Sequence, residues 1–258
     1  MKAHPTAIID SQAQIACSVT VGPYSVIGAE VELGEYCEVM SHVVLGGPTK
    51  MGRGNRIFPY ASIGLDPQDM KYGGERTWLE VGDENIFREF VSVHRGTAEG
   101  GGVTRIGSHN LLMAYVHIAH DCRLGDHVIM ANGASLAGHI EIASHATVGP
   151  FCGIHQFSRI GAHSFLGAYT VVNRDVLPYS KTTAPRPMEV LGANRLGLER
   201  RGMSKEDVAE LDKAFRLLCR SKLNTSQALT AIEAERFQSE HVRALVEFIR
   251  TSERGVAK

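Results

Sequence analysis

The chain has 258 residues, 43% of them hydrophobic and 21% charged, enough to bury one large core or two smaller ones. Its 27 Lys+Arg against 28 Asp+Glu leave a formal charge of −1, which gives no basis for a nucleic-acid binder or a strongly basic membrane-surface protein. No stretch is long and apolar enough for an integral membrane segment, and the polar start MKAHPTAIID lacks a secretory apolar region. Five scattered cysteines (Cys17, Cys37, Cys122, Cys152, Cys219), odd in number and without a CxxC pair, point away from disulfides and thiolate zinc sites and toward a reducing cytoplasm.

From Ile9 an aliphatic residue or Met recurs at every sixth position: Ile9, Ile15, Val21, Ile27, Leu33, Val39, Leu45, Met51, Ile57 and Ile63. The register resumes at Val81, Phe87 and Val93, and a second unbroken run extends from Ile106 to Val172. Gly often follows the anchor (Gly22, Gly28, Gly34, Gly107, Gly125), and a small or β-branched residue stands three places beyond it (Ser25, Val31, Thr49, Val128, Ala146, Thr170). Helices and ordinary strands have periods near 3.6 and 2; a period of six belongs to the hexapeptide parallel β-helix, with three hexads, or 18 residues, to a coil. The aliphatics are expected inside, with glycine easing each tight corner.

Two segments break the repeat. Between Ile63 and Val81 the anchor positions fall to Asp69 and Glu75, which predicts a polar loop near 65–80. The second, RGTAEGGGVTR over 95–105, shifts the register by one residue. Long loops on a rigid scaffold are more often functional than idle.

After Val172 the pattern stops, and LPYSKTTAPRP (Leu177–Pro187) reads as a connector. The period then becomes helical. SKEDVAELDKAFRLLC predicts a helix capped by Ser204, with Val208, Leu211, Phe215 and Leu218 on one face. TSQALTAIEAE and HVRALVEFIR predict two more. The expected organisation is therefore a β-helix over 1–178, and over 179–258 a connector leading into a small helical domain from about 188.

An 18-residue coil stacks residue i beneath i+18. It places His120 beneath Gly138, with Gln156 one coil further, and Asp121 beneath His139. An imidazole beside a glycine N–H is the pairing that acyl transfer needs: a base for an attacking hydroxyl and a donor for the oxyanion. Zinc bound by His94, His117 and His120, as in γ-class carbonic anhydrases, is an alternative; that family spaces two histidines five apart, whereas His117 and His120 are three apart. The other histidines (His4, His42, His109, His127, His145, His163, His241) read as structural.

LDPQDMKYGGE, VSVHRGTAEGGG, LLMAYVHIAHDC, ANGASLAGH, GIHQFSRIGAHSF and LGLERRG, in this order over nearly the whole chain, resemble the UDP-N-acetylglucosamine O-acyltransferases that begin lipid A synthesis. The N-acyltransferases of that pathway share the repeat but carry an extra N-terminal uridine-binding domain, for which hexads beginning at Ile9 leave no room.

The resemblance implies a left-handed parallel β-helix, a homotrimer with sites between subunits, and no cofactor or metal. It also implies transfer of an R-3-hydroxyacyl group from acyl carrier protein to the glucosamine 3-hydroxyl of UDP-N-acetylglucosamine. By motif, His120 is then the general base, Asp121 its orienting partner and the Gly138 N–H the oxyanion donor, with direct attack on the thioester. Asp69 and Lys71 resemble contacts to sugar and acyl-donor arm. His94, His117 and His139 resemble lining residues, and His155 and Gln156 resemble nucleotide and sugar contacts. Asn194, Arg200 and Arg201 resemble uridine- and phosphate-side residues, Arg supplying a fixed charged fork; without a ligand the two arginines read as a solvated helix start. From Arg195 to Lys222 eight Lys/Arg against five Asp/Glu form a mild basic excess that suits an acidic carrier protein.

Three departures stand out. The family's Gly-Asn-Pro turn after the last coil is replaced by TTAPRPMEV, Leu196 replaces an acid often found near Asn194, and Ala168 stands where the family closes the acyl groove with Gly or something larger. A 3-amino acceptor sugar, a coenzyme A-dependent acetyltransferase and a non-catalytic scaffold remain open alternatives.

Overall fold

The computed structural model describes residues 1–183 and 188–258. The hexads form short parallel strands, such as Thr20–Val21, Val26–Ile27 and Val31–Leu33, that turn through three faces per coil (A, B and C in that order). Registers follow the expected spacing: His117 pairs with Ser135, Ser135 with Gly153 and Gly153 with Val171 on face B. Both loops leave the stack without breaking it, since Arg56 pairs with Ile86 and Trp78 with Val103 across them. The anchors from Val21 onward fill the interior, and the small positions Ser25, Thr49, Val128, Ala146 and Thr170 are fully buried beside them.

The role expected of glycine is corrected. Most glycines after the anchors, Gly22, Gly34 and Gly107 among them, do not have positive φ, Gly64 (φ 76) being an exception. They give clearance between coils: a Cβ on Gly22 would lie 2.7 Å from the Met40 carbonyl carbon, and one on Gly107 would lie 2.6 Å from the Gly125 oxygen. The left-handed position comes two residues later and, apart from Gly54 (φ 67) and Gly133 (φ 69), is held mostly by larger side chains, such as Tyr115 (φ 63), His127 (φ 56) and His139 (φ 61). Each of these turns its N–H onto the coil below, as in His127 N–H to Ser108 O at 2.9 Å and His139 N–H to His120 O at 3.1 Å. Their rings stack from coil to coil. Tyr60, Phe90 and Tyr115 form one column; His109, His127, His145 and His163 form another, with centroids 4.7–4.9 Å apart. Bonds and stacking offset a left-handed conformation that costs ~1 kcal/mol or more per residue. The structural reading of these histidines in the second column thus acquires a cause.

The connector also differs from expectation. Ser180–Thr182 adds a parallel strand to face A beside Phe165, and Val190–Ala193 returns antiparallel to it. These strands close the upper end of the stack. The altered turn in TTAPRPMEV falls partly on residues 184–187, outside the described residues. Four helices follow: α1 (Arg195–Arg200), α2 (Lys205–Phe215), α3 (Thr225–Ala234) and α4 (Glu240–Arg250). Ser204 caps α2 as expected, accepting from the Asp207 N–H at 3.0 Å. The run expected to be one helix instead widens into a π-helical turn over Arg216–Arg220, which still buries Leu218. The Arg159 guanidinium lies over the Phe248 ring at 4.3 Å, tying α4 to face C. Among the described residues no helix is long and apolar enough to cross a membrane.

Candidate active site

His120 and Asp121 occupy the corner between faces B and C, with Asp121 in the left-handed position at φ 61. That turn brings adjacent side chains together: His120 Nδ1 lies 2.7 Å from Asp121 Oδ2. A carboxylate only accepts, so Nδ1 donates and Nε2 presents its lone pair to the cleft. The predicted stacking holds, because a Cβ on Gly138 would fall 2.6 Å from His120 Cε1 and 2.9 Å from Nε2. Among the described residues the Gly138 N–H meets no acceptor. The same corner N–H is free at Ala114 and Asn132 too, so the distinguishing feature of position 138 is the missing side chain, which lets the imidazole and a ligand approach that donor.

Asp69 Oδ2 lies 4.0 Å from His120 Nε2, and His139 Nε2 lies 3.7 Å from Asp121 Oδ2 while its ring stacks on Phe157 at 4.5 Å. His117 is fixed by Ser92 Oγ at 2.8 Å and meets His94 edge-on at 5.2 Å. Burial, then the neighbouring His117 and His120, pushes the pKa of His94 down to about 4, and burial lowers His117 as well, so both are neutral at physiological pH. Lys71 reaches Glu99 of the second loop at 3.0 Å. The zinc triad weighed as an alternative does not assemble: among the described residues the compact set is His120, Asp121 and His139, and His94 and His117 lie outside it. Within that set the Nδ1 of His120 is already engaged by Asp121.

The cleft in front of His120 is open, about 570 Å³, and runs across face B past Ser135, Gly153 and Val171. A Cβ on Gly153 would meet nothing within 4 Å, so the missing side chain leaves the cleft open there. His155 lines this cleft; Gln156 is exposed beyond it, and Ala168 sits half-buried at the corner between faces A and B. Asn194, Arg200 and Arg201 are not brought to His120. With Lys181 and Phe165 they line a second cleft of about 560 Å³ on face A. The arginines are exposed, as the solvated reading expected, but they are not at a helix start. They stand at the end of α1, and Arg201 donates back to the His145 carbonyl. Leu196 lines the same cleft, 59% exposed.

Spacing alone missed Arg95 and Thr97. Buried Arg95 donates to the Gly64 carbonyl at 2.6 Å, pairs with Asp66 and reaches the Tyr72 hydroxyl at 3.1 Å, which pins the first loop and its Asp69. Thr97 bonds Asp121 twice, through its N–H at 2.9 Å and its hydroxyl at 2.7 Å. Neither lies on a periodic position; the register shift just before HIAHD was the available signal. Cys122, beside Asp121, is no nucleophile, because burial pushes its thiol up to about 12.

The family described as "Udp N-acetylglucosamine O-acyltransferase; Domain 2" matches residues 175–257, and the six-repeat bacterial transferase hexapeptide family matches 103–138. An acyl-[acyl-carrier-protein]–UDP-N-acetylglucosamine O-acyltransferase of Herminiimonas arsenicoxydans is 44% identical over 99% of this chain and 98% of its own. The enzyme of that name from Alkalilimnicola ehrlichii is 47% identical over 98% of each chain. The solved UDP-N-acetylglucosamine acyltransferase of Francisella novicida, 39% identical, superimposes with a TM-score of 0.95 over 99% of this chain and 93% of that one. This chain belongs to the UDP-N-acetylglucosamine O-acyltransferase family, enzymes built on hexapeptide repeats.

Proposed function

We propose that the protein transfers an R-3-hydroxyacyl group from acyl carrier protein to the glucosamine 3-hydroxyl of UDP-N-acetylglucosamine, in the cytoplasm, as an early step of lipid A synthesis. One observation carries this reading: an imidazole anchored through Nδ1 to a buried carboxylate lies against a glycine whose N–H meets no acceptor among the described residues, and both line one open cleft. His120 Nε2 takes the proton of the sugar hydroxyl as its oxygen bonds to the thioester carbonyl carbon. The resulting oxyanion is held by the Gly138 N–H. When the C–S bond breaks, the imidazolium returns the proton to the departing thiolate. Every group belongs to the chain or to its substrates, so the scheme calls for no cofactor and no acyl-enzyme.

The split between the two clefts supports a homotrimer. His120 opens onto face B, while Asn194, Arg200 and Arg201 stand over face A, so one chain presents two halves of a site on different faces. Face A carries an apolar outward strip (Ile86, Leu111, Ile129, Phe165), and face C is charged (Glu80, Arg105, Arg123, Glu141). Packing face A of one copy against face B of the next covers the strip and adds the arginines, as phosphate ligands, to the His120 cleft.

The test is mass-spectrometric detection of acylated sugar nucleotide from UDP-N-acetylglucosamine and a ladder of 3-hydroxyacyl carrier proteins, beside His120→Ala. Product from the wild type alone is expected. Product only from the 3-amino sugar would move the acceptor assignment, and consumption of acetyl-coenzyme A instead would overturn the donor.

A further inference from the structure

We infer that Thr97 is a positioning residue for the His120–Asp121 pair, and that the insertion over 95–105 serves to supply it. The inference rests on the acyl-transfer reading above. At most other corners of the stack the left-handed residue sends its N–H to a carbonyl of the coil below, as Phe151 does to Asn132 at 2.9 Å; Tyr24 and Tyr36 send theirs to the Thr6 and Ser18 hydroxyls, and neither carries a carboxylate held by a loop. At Asp121 the insertion replaces that part of the coil below. Its N–H goes instead to the Thr104 hydroxyl at 2.8 Å, and its carboxylate is capped by the loop.

The capping is specific in its protons. Thr97 N–H donates to Oδ1 at 2.9 Å and Thr97 Oγ1 donates to Oδ2 at 2.7 Å. The same hydroxyl accepts the Gly100 N–H at 3.2 Å, which leaves its own proton free to point at Asp121. Gly100 lies flat on the carboxylate: a Cβ there would fall 2.0 Å from Asp121 Cγ. The Asp121 side chain is 1% exposed, so bonds from protein donors decide where its oxygens rest.

Two imidazoles compete for Oδ2, His120 Nδ1 at 2.7 Å and His139 Nε2 at 3.7 Å. The Thr97 hydroxyl holds that oxygen on the His120 side. Without it the carboxylate can swing toward His139, and His120 loses the bond that aims Nε2 at the cleft.

Thr97→Val removes the hydroxyl and keeps the N–H and the shape. We expect kcat to fall ~10-fold, short of the ~10²-fold that a misplacement of about 1 Å can cause. KM for both substrates should stay within about twofold, and Thr97→Ser should restore kcat, because only the hydroxyl is asked for. A second readout does not depend on turnover. With ¹⁵N-labelled histidine, the wild-type His120 signal should show a single Nδ1–H tautomer, and Thr97→Val should lose it. Gly100→Ala, which leaves Thr97 intact but presses a methyl on the carboxylate, should lose it too. Unchanged kcat and tautomer in Thr97→Val would overturn the inference, as would a Thr97→Ser variant impaired as badly as the valine. A wild type that transfers no acyl group yet shows the tautomer change would sink the reaction assignment and leave the role of Thr97 standing.

Discussion

Replacing Gly138 by Ala perturbs the central contact with a single methyl. Ordinary contact begins at 3.4 Å, and the new Cβ would stand 2.6 Å from His120 Cε1, so the ring must retreat by about 0.8 Å. It has little freedom to do so, being held by Asp121 at 2.7 Å and met edge-on by His139 at 5.2 Å. A displacement approaching 1 Å costs a reaction on the order of 10²-fold, equivalent to about 2.7 kcal/mol of transition-state stabilisation. Gly138 does not have positive φ, so alanine suits the backbone, and the loss of folding stability should be limited to the ~1–3 kcal/mol of pressing on the ring. Turnover is read from acylated sugar nucleotide by mass spectrometry, and stability from thermal melting of the same sample. A kcat within about threefold of wild type would refute the claim that this glycine reserves space for the imidazole. So would a lost kcat that merely tracked a large drop in melting temperature.

Acidification should destabilise the protein between pH 6.5 and 4. Burial pushes His94 and His163 down to about 4 from an unfolded value of 6.5, so over that window the unfolded chain binds more protons and stability falls with pH, while above it the curve is flat. The two together should cost on the order of 1–3 kcal/mol after allowance for partial exposure, and His163→Phe, which keeps the ring column, should shrink the loss in a pH series of melting curves. Arg95→Lys keeps the charge but loses the fork that reaches Gly64, Asp66 and Tyr72 together; trypsin should then cut after Lys71 faster than in the wild type, and an unchanged rate would refute the pinning role. Ala168→Gly should admit longer acyl chains, since a methyl at the edge of face B is removed; an unaltered chain-length preference would disprove it.

The coil was legible because its anchors repeat and, away from the two loops and the connector, each strand pairs with its neighbour 18 residues on. The stacking of His120 under Gly138 followed from that arithmetic alone. The corners were misread for a physical reason: tightness at Gly22 or Gly107 is a matter of clearance between coils, and the left-handed backbone falls on residues such as His127 or Tyr115; the 18-residue recurrence of His109, His127, His145 and His163 was the available signal for their column. Arg95 and Thr97 act through hydrogen bonds from a loop that has no period, so their partners at Gly64 and Asp121 could be seen only in three dimensions. The connector was read as a loop because of its prolines, yet its backbone completes face A at Phe165.

The most direct test of a site shared between copies is subunit mixing. His120→Ala and Arg201→Ala proteins, each inactive alone, are unfolded together in equal amounts and refolded. If His120 of one copy works with Arg201 of the next, randomly assembled trimers should regain about a quarter of wild-type activity, because that fraction of interfaces pairs two intact partners. No recovery from a mixture that refolds and assembles normally would place both residues in the site of a single chain and contradict the account.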